Sequence, residues 1–282
     1  MTELIGGCFC GRVRYELTEP PLRVDHCHCV MCRRAAGAAF VPWMMVTADS
    51  LKFTGDAPTF FRSSTQAERS FCPDCGTVLT YQYDGRNQEI DVALASLDDP
   101  NLLSIDQHLF ANSAISWLEI DRHIPVREGM GEWLADDGLR VAESQTLEGS
   151  CLCEKIQYRV TGQPERAAVC HCGTCRKVSG GFATSWAIYH ADRFELVSGR
   201  PRAHLSSKTG ERQFCGDCGS YLFFRSLKRD DIAEIMIATL DHPNLISADC
   251  HLFTDSAPAG MQIQDKLPRY PGSIADGGAI SF

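Results

Sequence analysis

The sequence predicts a mainly β protein built as two tandem repeats, each a small antiparallel domain stapled by metal. Three observations lead there. Adding 143 to Cys8, Cys10, Cys27, Cys29, Cys32, Cys72 or Cys75 lands on Cys151, Cys153, Cys170, Cys172, Cys175, Cys215 or Cys218, so one unit is written twice. The secondary-structure signals are short apolar/polar alternations broken by Gly, Pro and Asp, which is strand patterning. No stretch carries a convincing amphipathic helix longer than two or three turns.

The offset does not slip between Leu4 and Pro125. It also pairs His28 with His171, Gly37 with Gly180, Trp43 with Trp186, Arg69 with Arg212 and His108 with His251. Roughly a third of aligned positions are identical, which marks a tandem duplication. The expected organisation is a first domain over 1–125, a linker over 126–146, a second domain over 147–270 and an irregular tail over 271–282. The linker holds two turn-formers, Gly129-Met130-Gly131 and Asp136-Asp137-Gly138, and its Trp133 and Leu134 suggest that it packs on something.

Taken in order, each repeat begins with a glycine-flanked turn, Gly6-Gly7-Cys8-Phe9-Cys10-Gly11. Val13 to Leu17 then alternates apolar and polar residues, as Ile156 to Val160 does in the second repeat. Cys27-His28-Cys29 reads as extended chain, so alternation sends both thiols to one side and the imidazole to the other. The turn of Cys29-Val30-Met31-Cys32 brings a third sulfur round to meet them. Phe40 to Val46, Val78 to Tyr83, Glu89 to Ala95 and Ile115 to Ile120 are the remaining strand candidates. Between them, Cys72-Pro73-Asp74-Cys75-Gly76 has the form of a zinc knuckle, its glycine leaving backbone amides free to face sulfur.

Fifteen cysteines in 282 residues is a high count, yet their Cys-x-Cys and Cys-x-x-Cys clustering is metal-ligand spacing rather than a disulfide framework. Met1 to Cys8 has neither a basic nor an apolar leader region. The longest apolar run, Ala35 to Val46, is interrupted by Gly37 and Pro42 and is too short for a bilayer. These features predict a reduced, cytoplasmic protein. The formal charge of −9 falls to about −15 once fourteen thiolates hold four Zn²⁺. An acidity of that size argues against nucleic acid and against an anionic membrane surface as partners. The exception is a basic spot at Arg33, Arg34, Arg176 and Lys177, which either offsets the charge of the sites or holds an anionic substrate.

Seven cysteines per repeat divide into two sets. Cys8, Cys10, Cys72 and Cys75 supply four thiolates, enough to close a tetrahedron around a structural Zn²⁺, and Cys151, Cys153, Cys215 and Cys218 repeat the set. A rubredoxin-like iron site is the alternative. Cys27, Cys29 and Cys32, with Cys170, Cys172 and Cys175, give three ligands and an open position, the mark of a catalytic zinc. The competing reading closes that position with a histidine. His28 points the wrong way and His26 has Val169 as its counterpart, which leaves His108 and its pair His251. Arg69 and Arg212, just before the knuckles, either pair with a carboxylate or face the site. Cys250 alone stands outside the repeat, as a free buried thiol.

Gly-x-Cys-x-Cys-Gly, Cys-His-Cys-x-x-Cys-Arg-Arg with Gly37 and Phe40 behind it, Arg-x-Phe-Cys-x-x-Cys-Gly, Leu-Asp-Asp-Pro and His-x-Phe resemble the glutathione-dependent formaldehyde-activating enzyme family, the CENP-V/GFA domain. The resemblance covers both repeats. It implies an Mss4-like fold with one structural Cys₄ zinc and one labile three-cysteine zinc per domain, up to four Zn²⁺ per chain. It also implies a carbon–sulfur lyase that joins a small-molecule thiol such as glutathione to an aldehyde. Cys27, Cys29, Cys32, Cys170, Cys172 and Cys175 are then the reaction-site residues, and Arg33 and Arg176 are the candidate contacts for a glutathione carboxylate. A non-catalytic Mss4-like binding module is the rival reading. Two departures stand out: neither repeat keeps the Lys that usually follows Ser113 or Ser256, and the second loses the Trp found at Trp117. The first repeat is therefore the more family-like of the two, and one active half supported by the other is a third reading.

Overall fold

The structure is a computed structural model describing residues 4–86, 88–129 and 141–273. Each half consists of a small three-stranded sheet beside a large one. In the first half, Leu4–Gly7, Arg14–Leu17 and Leu51–Phe53 form the small antiparallel sheet. The large sheet runs Val126–Arg127, Gln107–Leu109, Arg23–Cys27, Val41–Thr47, Glu89–Ala93, Val78–Tyr83, Ala67–Phe71 and Thr59–Ser64. The second half repeats the small sheet and seven strands of the large one in the same spatial order.

Local sequence explains these elements. Val41–Thr47 is buried on nearly every residue because it lies centrally, between Arg23–Cys27 and Glu89–Ala93. Arg14–Leu17 buries Tyr15 and Leu17 and exposes Glu16, as its alternation requires. Ile115 to Ile120 is the exception. Ile115 is buried, but its segment is a turn closed by Leu118 N–H on the Ile115 carbonyl, and the Ser116 amide donates to Asn244 Oδ1 of the other half. With those backbone groups committed, the segment cannot join a ladder, so alternation there misleads.

Among the described residues there are two α-helices, α1 (Val30–Ala36) and α2 (Gly173–Ser179), and no helix is long and apolar enough to cross a membrane. Each begins at a cluster cysteine: the Cys29 sulfur caps the Cys32 amide at 3.4 Å, and Cys172 does the same for Cys175 at 3.3 Å. Each ends on a left-handed glycine, Gly37 or Gly180. The segment expected to be a linker contributes at both ends: Val126–Arg127 pairs beside Gln107–Leu109, and Thr146 opens the strand Thr146–Ser150. Met130 to Arg140, which includes Trp133, Leu134 and the Asp136-Asp137-Gly138 turn, lies outside the described residues, as do residues 274–282 of the tail.

The halves share a core. Tyr15, Leu79 and Ile115 of the first pack in one buried cluster with Phe182, Ala238 and Met261 of the second. Contacts across the boundary are reciprocal at the repeat offset: Arg34 pairs with Asp241 at 2.5 Å, and Lys177 pairs with Asp98 at 2.8 Å. Gly76 lies against the Phe214 ring and Gly219 against the Phe71 ring, so each cysteine knuckle is pressed onto the other half. Arg34 and Lys177, expected to serve the metal or a substrate, therefore tie the repeats together.

Candidate metal centres

The first four-cysteine set assembles from the turn after Leu4–Gly7 and the knuckle before Val78–Tyr83. The sulfurs of Cys8, Cys10, Cys72 and Cys75 all lie within 4.8 Å of one another, with 3.4 Å between Cys8 and Cys10 and 3.7 Å between Cys10 and Cys72. Tetrahedral thiolates on Zn²⁺ stand about 3.8 Å apart, so the donor set fits that ion. Polar groups support the sulfurs: the Val13 amide donates to Cys8 at 3.3 Å, and the Thr77 hydroxyl lies 3.2 Å from Cys75. Cys151, Cys153, Cys215 and Cys218 reproduce the site, with Ile156 N–H on Cys151 and the Ser220 hydroxyl beside Cys218.

The three-cysteine sets sit where a strand gives way to a helix. Cys27 ends Arg23–Cys27, Cys29 caps α1, and Cys32 lies one turn in; their sulfurs also fall within 4.8 Å. Cys170, Cys172 and Cys175 match them. Among the described residues no histidine or carboxylate joins either group. The histidines go elsewhere: His28 Nε2 meets His108 Nδ1 at 2.9 Å, and His171 Nε2 meets His251 Nδ1 at 2.9 Å. Burial first, then His108, pushes His28 down to about 3, so its ring is neutral.

An arginine supports each trio. Arg69 Nη2 donates to Cys32 Sγ at 3.4 Å, and Arg212 Nη2 donates to Cys175 Sγ at 3.4 Å. Hydrogen bonds from Cys27 and Cys29, joined by Arg69, hold the Cys32 thiol well below its ordinary value despite burial. Such a group is a ready thiolate ligand. The buried cation also offsets part of the negative charge that three thiolates bring. Arg33 is buried too and donates through Nη1 to the Ser113 carbonyl, as half-buried Arg176 does to the Ser256 carbonyl at 2.6 Å. Burial pushes Arg33 down to about 10, which leaves it charged at neutral pH. Cys250 is buried beside Ala168, away from every cluster.

The two trios differ in what lies above them. In the first half a cavity of about 720 Å³ opens on Cys27, Cys29 and Cys32. Its walls include Trp43, Met45, Arg69, Tyr81 and Leu109. Phe110 stands at its edge with φ 56°, a left-handed backbone unusual for a bulky residue and repeated at Phe253 with φ 55°. In the second half Tyr221 stands where the first has Val78, and its ring packs edge-on against Trp186 at 5.7 Å. Phe224, in place of Tyr81, closes on the same Trp186 at 6.2 Å. The difference is legible in the offset pairs Val78/Tyr221 and Tyr81/Phe224, which the cysteine spacing does not touch.

Fold and sites together define a duplicated, cysteine-rich β protein with two closed four-thiol sites and two open three-thiol ones. The family described as glutathione-dependent formaldehyde-activating enzyme matches residues 3–113 and 146–256, and the chain belongs to it. A relative from Schizosaccharomyces pombe, an uncharacterized lyase, is 30% identical over 88 residues. That match covers 31% of this chain and 64% of the yeast protein, so the chain spans less than two thirds of the relative's length. A crystal structure of a Rhodobacter sphaeroides protein is 28% identical over 33% of this chain and 87% of its own, with a TM-score of 0.29 that is too low to bear on the fold.

Proposed function

We propose that the chain is a zinc-dependent carbon–sulfur lyase acting on thiol adducts, with its reaction site in the first half. The observation that carries this reading is the cavity over Cys27, Cys29 and Cys32: three convergent sulfurs with no fourth protein ligand among the described residues, facing space for a small molecule. Membership of the glutathione-dependent formaldehyde-activating family supports a thiol such as glutathione and an aldehyde as the reactants. Four Zn²⁺ per chain is the proposed complement, two enclosed and two exchangeable.

Zn²⁺ held by Cys27, Cys29 and Cys32 supplies Lewis acidity and favours the ionised form of an added thiol. The chain's own residues do the rest. In the joining direction the thiol sulfur bonds to the carbonyl carbon, the C=O π pair moves onto oxygen, and that oxygen gains the proton that the thiol gave up. The reverse sequence breaks the C–S bond. Arg69 donates to Cys32 Sγ and offsets negative charge there, and the Trp43 and Tyr81 walls exclude water and orient the adduct. Because the uncatalysed addition is facile, positioning is the main contribution asked of the protein.

The experiment measures zinc content, thiol-adduct turnover and unfolding for wild type and Cys29→Ala. Turnover lost in a folded protein short of one zinc supports the reading. Unchanged turnover, or none in zinc-replete wild type with any thiol–aldehyde pair, overturns it.

A further inference from the structure

Arg69 and Arg212 occupy matching positions and make the same contact with a cluster sulfur, yet their second amino groups differ. Arg212 Nη1 donates to the Tyr221 hydroxyl, an oxygen held inside the second half. Both arginines leave Nε without a partner, but Arg69 Nη1 also has none, although the side chain is only 4% exposed and lines the cavity. A buried guanidinium donor without an acceptor is costly. It is left so because Val78 stands where Tyr221 would bring the oxygen. The Tyr81 ring lies 4.7 Å from the Arg69 guanidinium, and both line the cavity. The second half thus displays, with a residue of its own, the acceptor that the first half is built to take from outside.

The rest of the cavity narrows the class. Its other two cations are already engaged: Arg23 with Asp25 at 2.7 Å, and Arg86 with Asp91 at 2.9 Å. Trp43, Met45, Leu109 and Phe110 present apolar surface beside the sulfurs, which suits an apolar substituent better than the bare hydrogens of a one-carbon aldehyde. We infer that Arg69 Nη1 binds the oxygen on the sulfur-bearing carbon of a thiol–carbonyl adduct, and that this carbon carries an apolar group of aryl size. The inference rests on the reading of Cys27, Cys29 and Cys32 as a thiol-adduct site. Arg69 is then a catalytic residue: it donates to the oxygen that receives the carbonyl electron pair and stabilises the charge forming there. Arg212, its donor already taken, has no such role.

The test is calorimetric binding to zinc-replete full-length protein, with three stable probes in mildly alkaline buffer where all are ionised. Thiobenzoate carries sulfur and oxygen on one aryl-bearing carbon, thiophenolate lacks the oxygen, and thioacetate lacks the ring. Thiobenzoate should bind tightest. In Arg69→Met its preference over thiophenolate should shrink by roughly 10- to 100-fold, the worth of a hydrogen bond to a charged donor. Val78→Tyr, which keeps Arg69 but supplies the internal phenol, should abolish the preference as well, and it decides the matter if Arg69→Met loses zinc. A preference unmoved in a zinc-replete variant overturns the role of Arg69 and leaves the thiol site standing. Thioacetate equal to thiobenzoate overturns the aryl-sized group. No binding by any thiolate overturns this inference and the proposed function together.

Discussion

Substituting Gly76 by Ala tests how firmly each cysteine knuckle is pressed onto the opposite half. Gly76 has φ 74°, and a Cβ built there would stand 2.5 Å from Phe214 Cγ and 2.8 Å from both flanking ring carbons. Left-handed backbone costs a residue with a side chain about 1–2 kcal/mol, and overpacking against a ring wedged in a core adds about 1–3 kcal/mol. The expected loss is about 2–5 kcal/mol, a fall in melting temperature of roughly 3–8 °C for a chain of this size. Gly11→Ala is the control: φ is 80° and nothing lies within 4 Å, so only the backbone cost applies. Denaturant unfolding of zinc-loaded protein should separate the two variants by at least about 1 kcal/mol. Equal losses would refute the claim that the first knuckle is braced by the second half.

Excess glutathione should remove two of four zinc ions, since only the three-sulfur sites offer an open position; metal analysis after desalting checks this. Cys29→Ala should cost about 1 kcal/mol, the loss of a helix cap, whereas Cys75→Ala should prevent stable folding because it opens an enclosed site; circular dichroism with chelator titration distinguishes them. Arg14 first, and then Lys177, holds the Asp98 carboxyl below the usual carboxylate range. A depressed carboxylate stabilises the fold above its unfolded value of about 4, and the effect is lost as pH falls below that. Asp98→Asn should therefore be less stable than wild type at neutral pH, by no more than about 1 kcal/mol for so exposed a pair, and the gap should close in acid.

The cysteine spacing made four sulfur clusters and a β framework legible, because ligand geometry and strand alternation are both local. The direction of His28 followed from the same alternation, and its bond to His108 accounts for that buried ring. What was not legible depends on contacts between the halves. Arg34 and Lys177 look like substrate cations until Asp241 and Asp98 arrive from the other repeat. Ile115 to Ile120 alternates like a strand, but Ser116 is claimed by Asn244. The unpaired Arg69 donor depends on Val78 standing where the second half has Tyr221, and hydrophobic patterning treats those residues alike.

Duplication explains why one half can diverge without dragging the other down. The second half keeps its four-cysteine site, its Phe214 against Gly76 and its Asp241 on Arg34, so it still supports the helix that carries Cys32. A Cβ on Gly37, which ends that helix, would meet the Tyr221 carbonyl at 2.3 Å, so the backbone at Tyr221 is held against the neighbouring half. Its phenol packs with Cys170 and Cys175 and satisfies Arg212. In the first half the reciprocal contact is between Gly180 and Val78, whose Cβ would lie 3.2 Å from the side chain a substituted Gly180 would carry. Val78 leaves Arg69 Nη1 short of an acceptor, so the demand for an external oxygen is set at a position that also touches the other half.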